Sequence, residues 1–392
     1  MTLSRRRFLG LPGLVKTRHA GRRPVLVNIF LRGGMDGLHA VPAFADEDYY
    51  TLRPRIAIPA PGEKKGAFDL DGFFGLHSEL APLFDLFKDK KLAIVHACGG
   101  PDLSLSHFEA QRNMELGVPV GAEIGSGWMT RLLRTEQSAS SSPLSAIALG
   151  EQLPDALVGG SGALVLPNLA DYRLKLPAGW RGEFSEALFE LYERGTDSIS
   201  RSGLQTKERI RVLSKLAGTT PEVRGGANYP DSIFGRQLRE LAAVIRADLG
   251  LRVAQVDLDG WDTHIDQPPR MAALMRELGQ GMTAFYQDLG DVMERVTVVA
   301  MSEFGRRVAG VGGLGTDHGR GGACFVLGDG VQGGKVYTKW PGLTRSSLDR
   351  DGNLPVTVDY RDVFAEVLTE RLGVEERSAV FPSYEPTPIG IV

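Results

Sequence analysis

The sequence predicts an α/β fold of three layers, helices on either side of a mostly parallel central sheet. Three observations carry this. Several apolar runs of strand length lack any polar alternation, as strands covered on both faces do. Amphipathic helical stripes separate the later runs. The strand–helix–strand order over residues 231–301 also calls for a right-handed crossover between parallel neighbours.

Taken in order, "VLVNIFL" (25–31) is the first buried strand and "KLAIVHAC" (91–98) the second. "LRVAQVDL" (251–258), "VTVVAM" (296–301) and "ACFVLG" (323–328) follow. From Asp231 to Leu249, the residues Phe234, Leu238, Leu241, Ile245 and Leu249 recur at three- and four-residue steps, and Gly250 ends the helix. A second helix is expected from Arg270 to Arg295, with Leu274, Met275, Leu278, Met282, Phe285, Leu289 and Met293 on its apolar stripe. Asp359 can cap a third, bearing Val363, Phe364, Val367, Leu368 and Leu372 and closed by Gly373. Residues 135–230 carry "SASSSP", scattered glycines and prolines and weak periodicity. They read as an insertion or cap on a single domain spanning 23–392.

The chain has 392 residues, 42% of them hydrophobic, enough for a large core. Forty-five basic against 48 acidic residues give a net charge of −3, so bulk charge argues for no nucleic-acid partner. No run of about 20 apolar residues occurs, so no transmembrane segment is expected. Cys98 and Cys324 are the only cysteines and neither lies in a CxxC pair. They read as small core residues, a single bridge between them being the other option. At the N-terminus, Ser4 to Leu9 ("SRRRFL") resemble a twin-arginine export signal. The apolar stretch after it is short, broken by Pro12 and closed by Lys16 and Arg18. Residues 1–22 therefore read as a degenerate signal or a disordered terminus, with a periplasmic or exported location if it works and a cytoplasmic one if not.

Open parallel sheets bind ligands beyond the carboxyl ends of their strands, and the distinctive polar residues fall there. After the first strand comes "RGGMDGL" with Asp36, and after the third "DGWDTH" with Asp262 and His264. After the fourth comes "SEFGRR" with Glu303, followed by "GTDHGRGG" with Asp317 and His318. The second strand leads through "GGPDLSLSHFEAQ" to a helix start near Ser106. Asp262 and His264, two apart, point to one side of an extended segment. Asp317 and His318 are adjacent and would point apart, unless Gly315 and Gly319 permit turn conformations closed to other residues. Mixed carboxylate and imidazole ligands suit a divalent metal, Zn²⁺ or Mn²⁺, as one or two ions. Ser106 at a helix start would meet a field that favours an anion or a deprotonated hydroxyl.

Each feature also has a plainer reading. Asp36 can be a turn residue, Glu303 a buried acid paired with Arg306 or Arg307, and Ser106 an ordinary N-cap. His107 can be a packed side chain or a ligand. His39, His77 and His96 read as structural. The clustering of acids and imidazoles at successive strand ends favours a shared site over independent accidents.

The segments "SRRRFL", "LRGGMDGLHAVP", "SHFEAQRNME", "GWDTH", "SEFGRR" and "GTDHGRGG" resemble, in order, motifs of the DUF1501 family, over about residues 24–385. That resemblance implies an alkaline phosphatase-like fold, shared with sulfatases and cofactor-independent phosphoglycerate mutases. It implies that Asp36 is similar to their first aspartate, Ser106 to the nucleophile, and Asp262 with His264 to an Asp/His pair. Two alignments of the remainder compete. "GTDHG" looks like their Asp-His-Gly motif by letters. By strand position Glu303 takes its aspartate, Phe304 stands where a histidine is usual, and His318 matches the late histidine. The second leaves the pattern one imidazole short.

The implied activity is metal-dependent hydrolysis of a small anionic ester, a phosphate or a sulfate. The metal would be held by Asp36, Asp262, His264, Glu303 and His318, with Asp317 near or within the shell. Arg306 or Arg320 would hold anionic oxygens. The alternative is a non-catalytic envelope protein that keeps the fold and a partial metal site for binding or assembly. No G-x-S-x-G elbow supports a metal-free serine hydrolase.

Overall fold

β1 (Val25–Leu31) forms at the predicted residues and is buried along its whole length. Its side chains alternate between two cores. Val25, Val27, Ile29 and Leu31 enter one, with residues of the helices Ala81–Lys88, Ile233–Arg246 and Gln267–Leu289. Leu26 and Phe30 enter the other, with the helices His107–Leu116, Trp128–Thr135 and Tyr360–Glu366. A strand that feeds a core on each face must be apolar at every position, which is why no alternation is visible in its sequence. The three layers are those the sequence predicts.

This architecture is that of a computed structural model, which describes residues 23–392 apart from 119–120, 123, 137–141, 143, 161, 170–171, 173–182, 215 and 217–220. The twin-arginine-like segment lies outside the described residues, as does most of "SASSSP". β2 (Phe68–Asp69) and β3 (Gly75–Leu76) form a small antiparallel pair of their own. The main sheet adds β4 (Leu92–Gly99), β5 (Ala146–Leu149), β6 (Ala163–Leu166), β7 (Val253–Leu258) and β8 (Val296–Met301). β9 (Gly322–Leu327), β10 (Val336–Tyr337) and β11 (Val358–Asp359) complete it. Its order is β10-β4-β9-β8-β1-β7-β5-β6, with β11 also on β4. β5 and β6, from the stretch read as an insertion, extend the sheet beyond β7 in parallel.

All pairings in this sheet are parallel except those of β9, which runs antiparallel to both β4 and β8. That reversal matters for the site. Loops leave β1, β4, β7 and β8 at the carboxyl rim, and the loop entering β9 arrives at the same rim from the other direction. "GTDHGRGG" therefore reaches it by preceding a strand, not by following one.

The helices differ from expectation at their ends. Ser232 caps Ile233–Arg246 through its side chain, which accepts from Gly235 N–H at 3.0 Å. Gln267–Leu289 starts earlier than predicted because Pro268 and Pro269 fit the first turn, where no amide donor is needed. Gly290, at φ +50°, ends it, and a 3₁₀ segment carries on to Arg295. Asp359 caps Tyr360–Glu366 as predicted, accepting from Arg361 N–H. Cys98 and Cys324 are buried and unbridged. Among the described residues no helix is long and apolar enough to cross a membrane.

Candidate metal centre at the sheet rim

Four loops meet over the carboxyl ends of β1, β4, β7 and β8, and Arg306 binds three of them together. Its fully buried guanidinium donates to Gly34 O (2.7 Å) and Gly33 O (2.6 Å) after β1, and to Thr316 O (2.9 Å) before β9. Trp261 O and Asp262 Oδ1 in the loop after β7 accept from it too, at 3.1 and 2.5 Å. The loops after β8 and before β9 are zipped together by backbone bonds, Arg307 N–H to Asp317 O, Gly319 N–H to Gly305 O and Gly305 N–H to Arg320 O. Close approach is what the glycines supply. A Cβ on Gly33 (φ +117°) would stand 2.6 Å from Asp262 N, and one on Gly315 would stand 2.0 Å from His264 O. Gly315 and Gly319 were expected to supply left-handed turns, yet neither has positive φ. They are needed because another backbone passes where a side chain would be.

Held this way, three imidazoles turn the same ring nitrogen toward one carboxylate oxygen. From Asp262 Oδ1, the Nε2 atoms of His264, His318 and His107 lie at 3.0, 3.2 and 3.4 Å. His264 Nε2 and His318 Nε2 are themselves 2.9 Å apart. One ligand atom from each of His107, Asp262 and His318 lies within 4.8 Å of the others. Each imidazole is braced from behind at Nδ1. His107 Nδ1 meets Glu303 Oε1 at 2.7 Å, His318 Nδ1 meets Leu105 O at 2.6 Å, and His264 Nδ1 meets Asp317 Oδ1 at 3.4 Å. An acceptor at Nδ1 favours the tautomer with its proton there, in which Nε2 is available as a ligand.

The sequence-predicted residues thus divide. Asp262, His264 and His318 come together. His107 joins them from the helix that Ser106 starts. Phe304 stacks on His107 at a centroid distance of 4.9 Å and lies tilted against His318 at 5.0 Å. Glu303 stands behind the centre. It is buried and accepts from Gly33 N–H (3.0 Å), Gln111 (2.9 Å) and Ser302 (3.0 Å) besides holding His107. Its expected partners, Arg306 and Arg307, are not the ones it takes. Asp317 likewise faces the back of His264. Asp36 is committed elsewhere: Oδ2 accepts from Arg53 and Gln267, both at 2.7 Å, and Oδ1 from His39 N–H at 3.2 Å.

Ser106 is the N-cap of His107–Leu116 but makes no side-chain cap bond, so its hydroxyl is not spent on the helix. Arg306 spends Nε, Nη1 and Nη2 on backbone carbonyls and on the Asp262 carboxylate, which makes it a buried brace of the loops. Arg320 approaches Asp349 at 4.0 Å, and its Nε is buried without a partner. His39, His77 and His96 lie in the packed interior, where burial lowers their pKa values to about 3, about 4 and about 4.

Electrostatics and geometry at the centre suit a cation. Burial alone would raise the Asp262 carboxyl, but the Arg306 hydrogen bond and charge outweigh it and hold it well below the usual range. Glu303 is also held low, its burial overcome by the bonds from His107 and Gln111. Burial lowers His318, whereas the Glu303 hydrogen bond raises His107 against its own burial. Two atoms each ~2.0–2.1 Å from one Zn²⁺ ion lie roughly 2.9 Å apart at a right angle and roughly 3.4 Å apart at a tetrahedral one. The three separations from Asp262 Oδ1 and the one between His264 and His318 run from 2.9 to 3.4 Å, and the ligand atoms of His107, Asp262 and His318 lie within 4.8 Å of one another. His107 Nε2 is buried without a hydrogen-bond partner. Converging lone pairs beside a carboxylate leave a deficit that one divalent ion, with nitrogen and oxygen ligands, would fill.

Residues 93–382 match a family described as "protein of unknown function (DUF1501)". No curated protein matches the chain in sequence. Among solved structures, it is similar to the C-terminal periplasmic domain of EcEptC from Escherichia coli in complex with Zn, at 10% identity and a TM-score of 0.40, covering 95% of this chain and 90% of that one. It is similar to the PsFucS1 sulfatase from Pseudoalteromonas sp., at 14% identity and a TM-score of 0.37 over 90% and 68% of the two chains. For the alkaline phosphatase PafA the values are 11% and 0.35, over 74% and 64%. At such scores the overlap carries no argument about chemistry, which has to come from the site.

Proposed function

The chain belongs to the DUF1501 family, and we propose that it is a metal-dependent hydrolase of phosphate or sulfate esters whose divalent ion, Zn²⁺ or Mn²⁺, is held by His107, Asp262, His264 and His318. One observation carries the reading: three Nε2 atoms, each fixed by an acceptor at Nδ1, converge on Asp262 Oδ1. A divalent ion there supplies Lewis-acid chemistry, neutralising charge on the transferring group and easing deprotonation of the attacking hydroxyl. The protein's residues do the rest. Glu303 and Asp317 fix the tautomers of His107 and His264, and Arg306 fixes Asp262. Ser106, at the amino end of a ten-residue helix with its hydroxyl unspent, is the nucleophile in this reading. Arg320 keeps the role of holding anionic oxygens. In the net reaction water adds to phosphorus or sulfur, the ester oxygen leaves, and the leaving alcohol takes up a proton.

The SRRRFL start favours work outside the cytoplasm, which cell fractionation of the tagged full chain would test. The chemical reading is tested by elemental analysis of the purified protein, then turnover of aryl phosphates and aryl sulfates with Zn²⁺ or Mn²⁺ added. Bound metal near one per chain and hydrolysis of one ester class are expected. Absence of both overturns the proposal. Metal retained with no turnover, together with a biological role that survives Ser106→Ala, would favour the envelope-binding alternative.

A further inference from the structure

An open cleft of about 1050 Å³ lies beside the candidate centre, beyond the ends of β1, β5, β6 and β7. The first turn of the helix His107–Leu116 is the partition between them. His107 faces the centre, while Phe108 and Gln111 line the cleft. Gln111 also donates to Glu303, which holds His107, so the two spaces share one wall.

The charge of the cleft is opposite to what an anionic substrate body would need. Six carboxylates line it, Glu115, Glu151, Asp155, Glu240, Asp257 and Asp259, against three arginines, Arg32, Arg112 and Arg236. Arg32 pairs with two of these acids, Asp257 (2.6 Å) and Glu115 (2.9 Å), so that group keeps one net negative charge, and Arg236 approaches Asp231, which does not line the cleft, at 3.9 Å. Glu151 and Asp259 are exposed on the wall. Desolvation first and the neighbouring Asp257 charge second push the Asp259 carboxyl upward, with Arg32 opposing them.

A second and separate feature of the cleft is apolar. Phe108, Ile233 and Leu153 all line it and are 89%, 65% and 44% exposed. An exposed aromatic ring in a cleft whose carboxylates outnumber its arginines is the chemistry that recognises an organic ammonium group, through the ring's quadrupole and through charge. Inorganic cations would leave the apolar side chains unused. An anionic body would be repelled by the acids.

We propose that this cleft binds an organic cation, an alkylammonium group. In combination with the proposed function, on which this part rests, the substrate is zwitterionic, with its ester at the histidine centre and its ammonium beyond Phe108. The cleft itself can be tested without the metal.

The experiment is calorimetric titration of the full chain at low salt with a chelator present, using choline, its uncharged isostere 3,3-dimethylbutan-1-ol, and sodium sulfate. Choline is expected to bind about tenfold or more tighter than the isostere, with sulfate undetected. Glu151→Gln with Asp259→Asn should abolish that preference. Phe108→Leu, which keeps apolar area but removes the ring, should weaken choline alone by roughly threefold to tenfold. Thermal melts of the variants check that each is folded. Equal binding of choline and isostere, tighter binding of sulfate, or no choline binding overturns the proposal. Because the metal is chelated throughout, such a result leaves the hydrolase reading standing, and loss of metal binding elsewhere leaves this one standing.

Discussion

Asp36 and Asp262 occupy equivalent places on neighbouring strands and have opposite fates. Each follows a central strand in a glycine-containing loop, and each meets an arginine. Asp36 is 1% exposed, with Arg53, Gln267 and its own helix amide occupying both oxygens. Asp262 is 46% exposed, and beyond Arg306 the directions open to its Oδ1 are filled only by imidazole nitrogens. An acid at a strand end is therefore not yet a ligand. What decides is whether its lone pairs are already satisfied by groups that cannot leave.

The comparison can be broken at either end. The largest effect is expected at the imidazoles. His318→Ala and His107→Ala should each weaken metal binding beyond about 100-fold, the upper end for groups that only support a ligand, as read by competition with a chromophoric chelator. Asp36→Ala should leave that affinity within a few-fold but destabilise the fold by about 3–5 kcal/mol, because it strands the buried Arg53 charge. Denaturant unfolding measures this. The pH dependence sharpens it. Although burial opposes it, Arg53 holds the folded Asp36 carboxyl below its ordinary value. Its stabilising contribution is therefore present above the unfolded value of about 3.9 and is lost as pH falls through the folded one. Asp36→Asn should show lower stability at neutral pH and a flatter loss below about pH 4.

Smaller effects should separate braces from ligands. Glu303→Gln and Asp317→Asn each remove a carboxylate behind an imidazole and are expected to cost 10–100-fold in metal affinity, approximately. Asp317 should fall at the low end because its contact is longer, 3.4 Å against 2.7 Å. Ser106→Ala should change folding stability least, by under about 0.5 kcal/mol, since no cap bond is lost. Ester turnover, by contrast, should fall to background. Unchanged turnover would leave water as the nucleophile.

The sheet was legible because strands buried on both faces announce themselves as unbroken apolar runs. The direction of β9 was not, since a parallel and an antiparallel buried strand have the same composition. β5 and β6 were hidden because each has four residues set among glycines and prolines. At the site, the Asp262–x–His264 spacing and His318 were readable. Glu303 and Asp317 lie at the rim, behind His107 and His264, and which side of an imidazole a carboxylate faces is a tertiary fact. The placement of Asp36 depends on Arg53 and Gln267, 17 and 231 residues away and outside its loop. His107 had a usable signal: it directly follows Ser106 at a helix start on the same rim.

The central claim is that three imidazoles and one carboxylate form a single coordination shell. X-ray absorption on the zinc-loaded full chain tests it most directly. The account predicts three imidazole nitrogens and one or two oxygens at about 2.0–2.1 Å, with one imidazole lost in His107→Ala. A shell of oxygens alone, or one unchanged by that substitution, would contradict it.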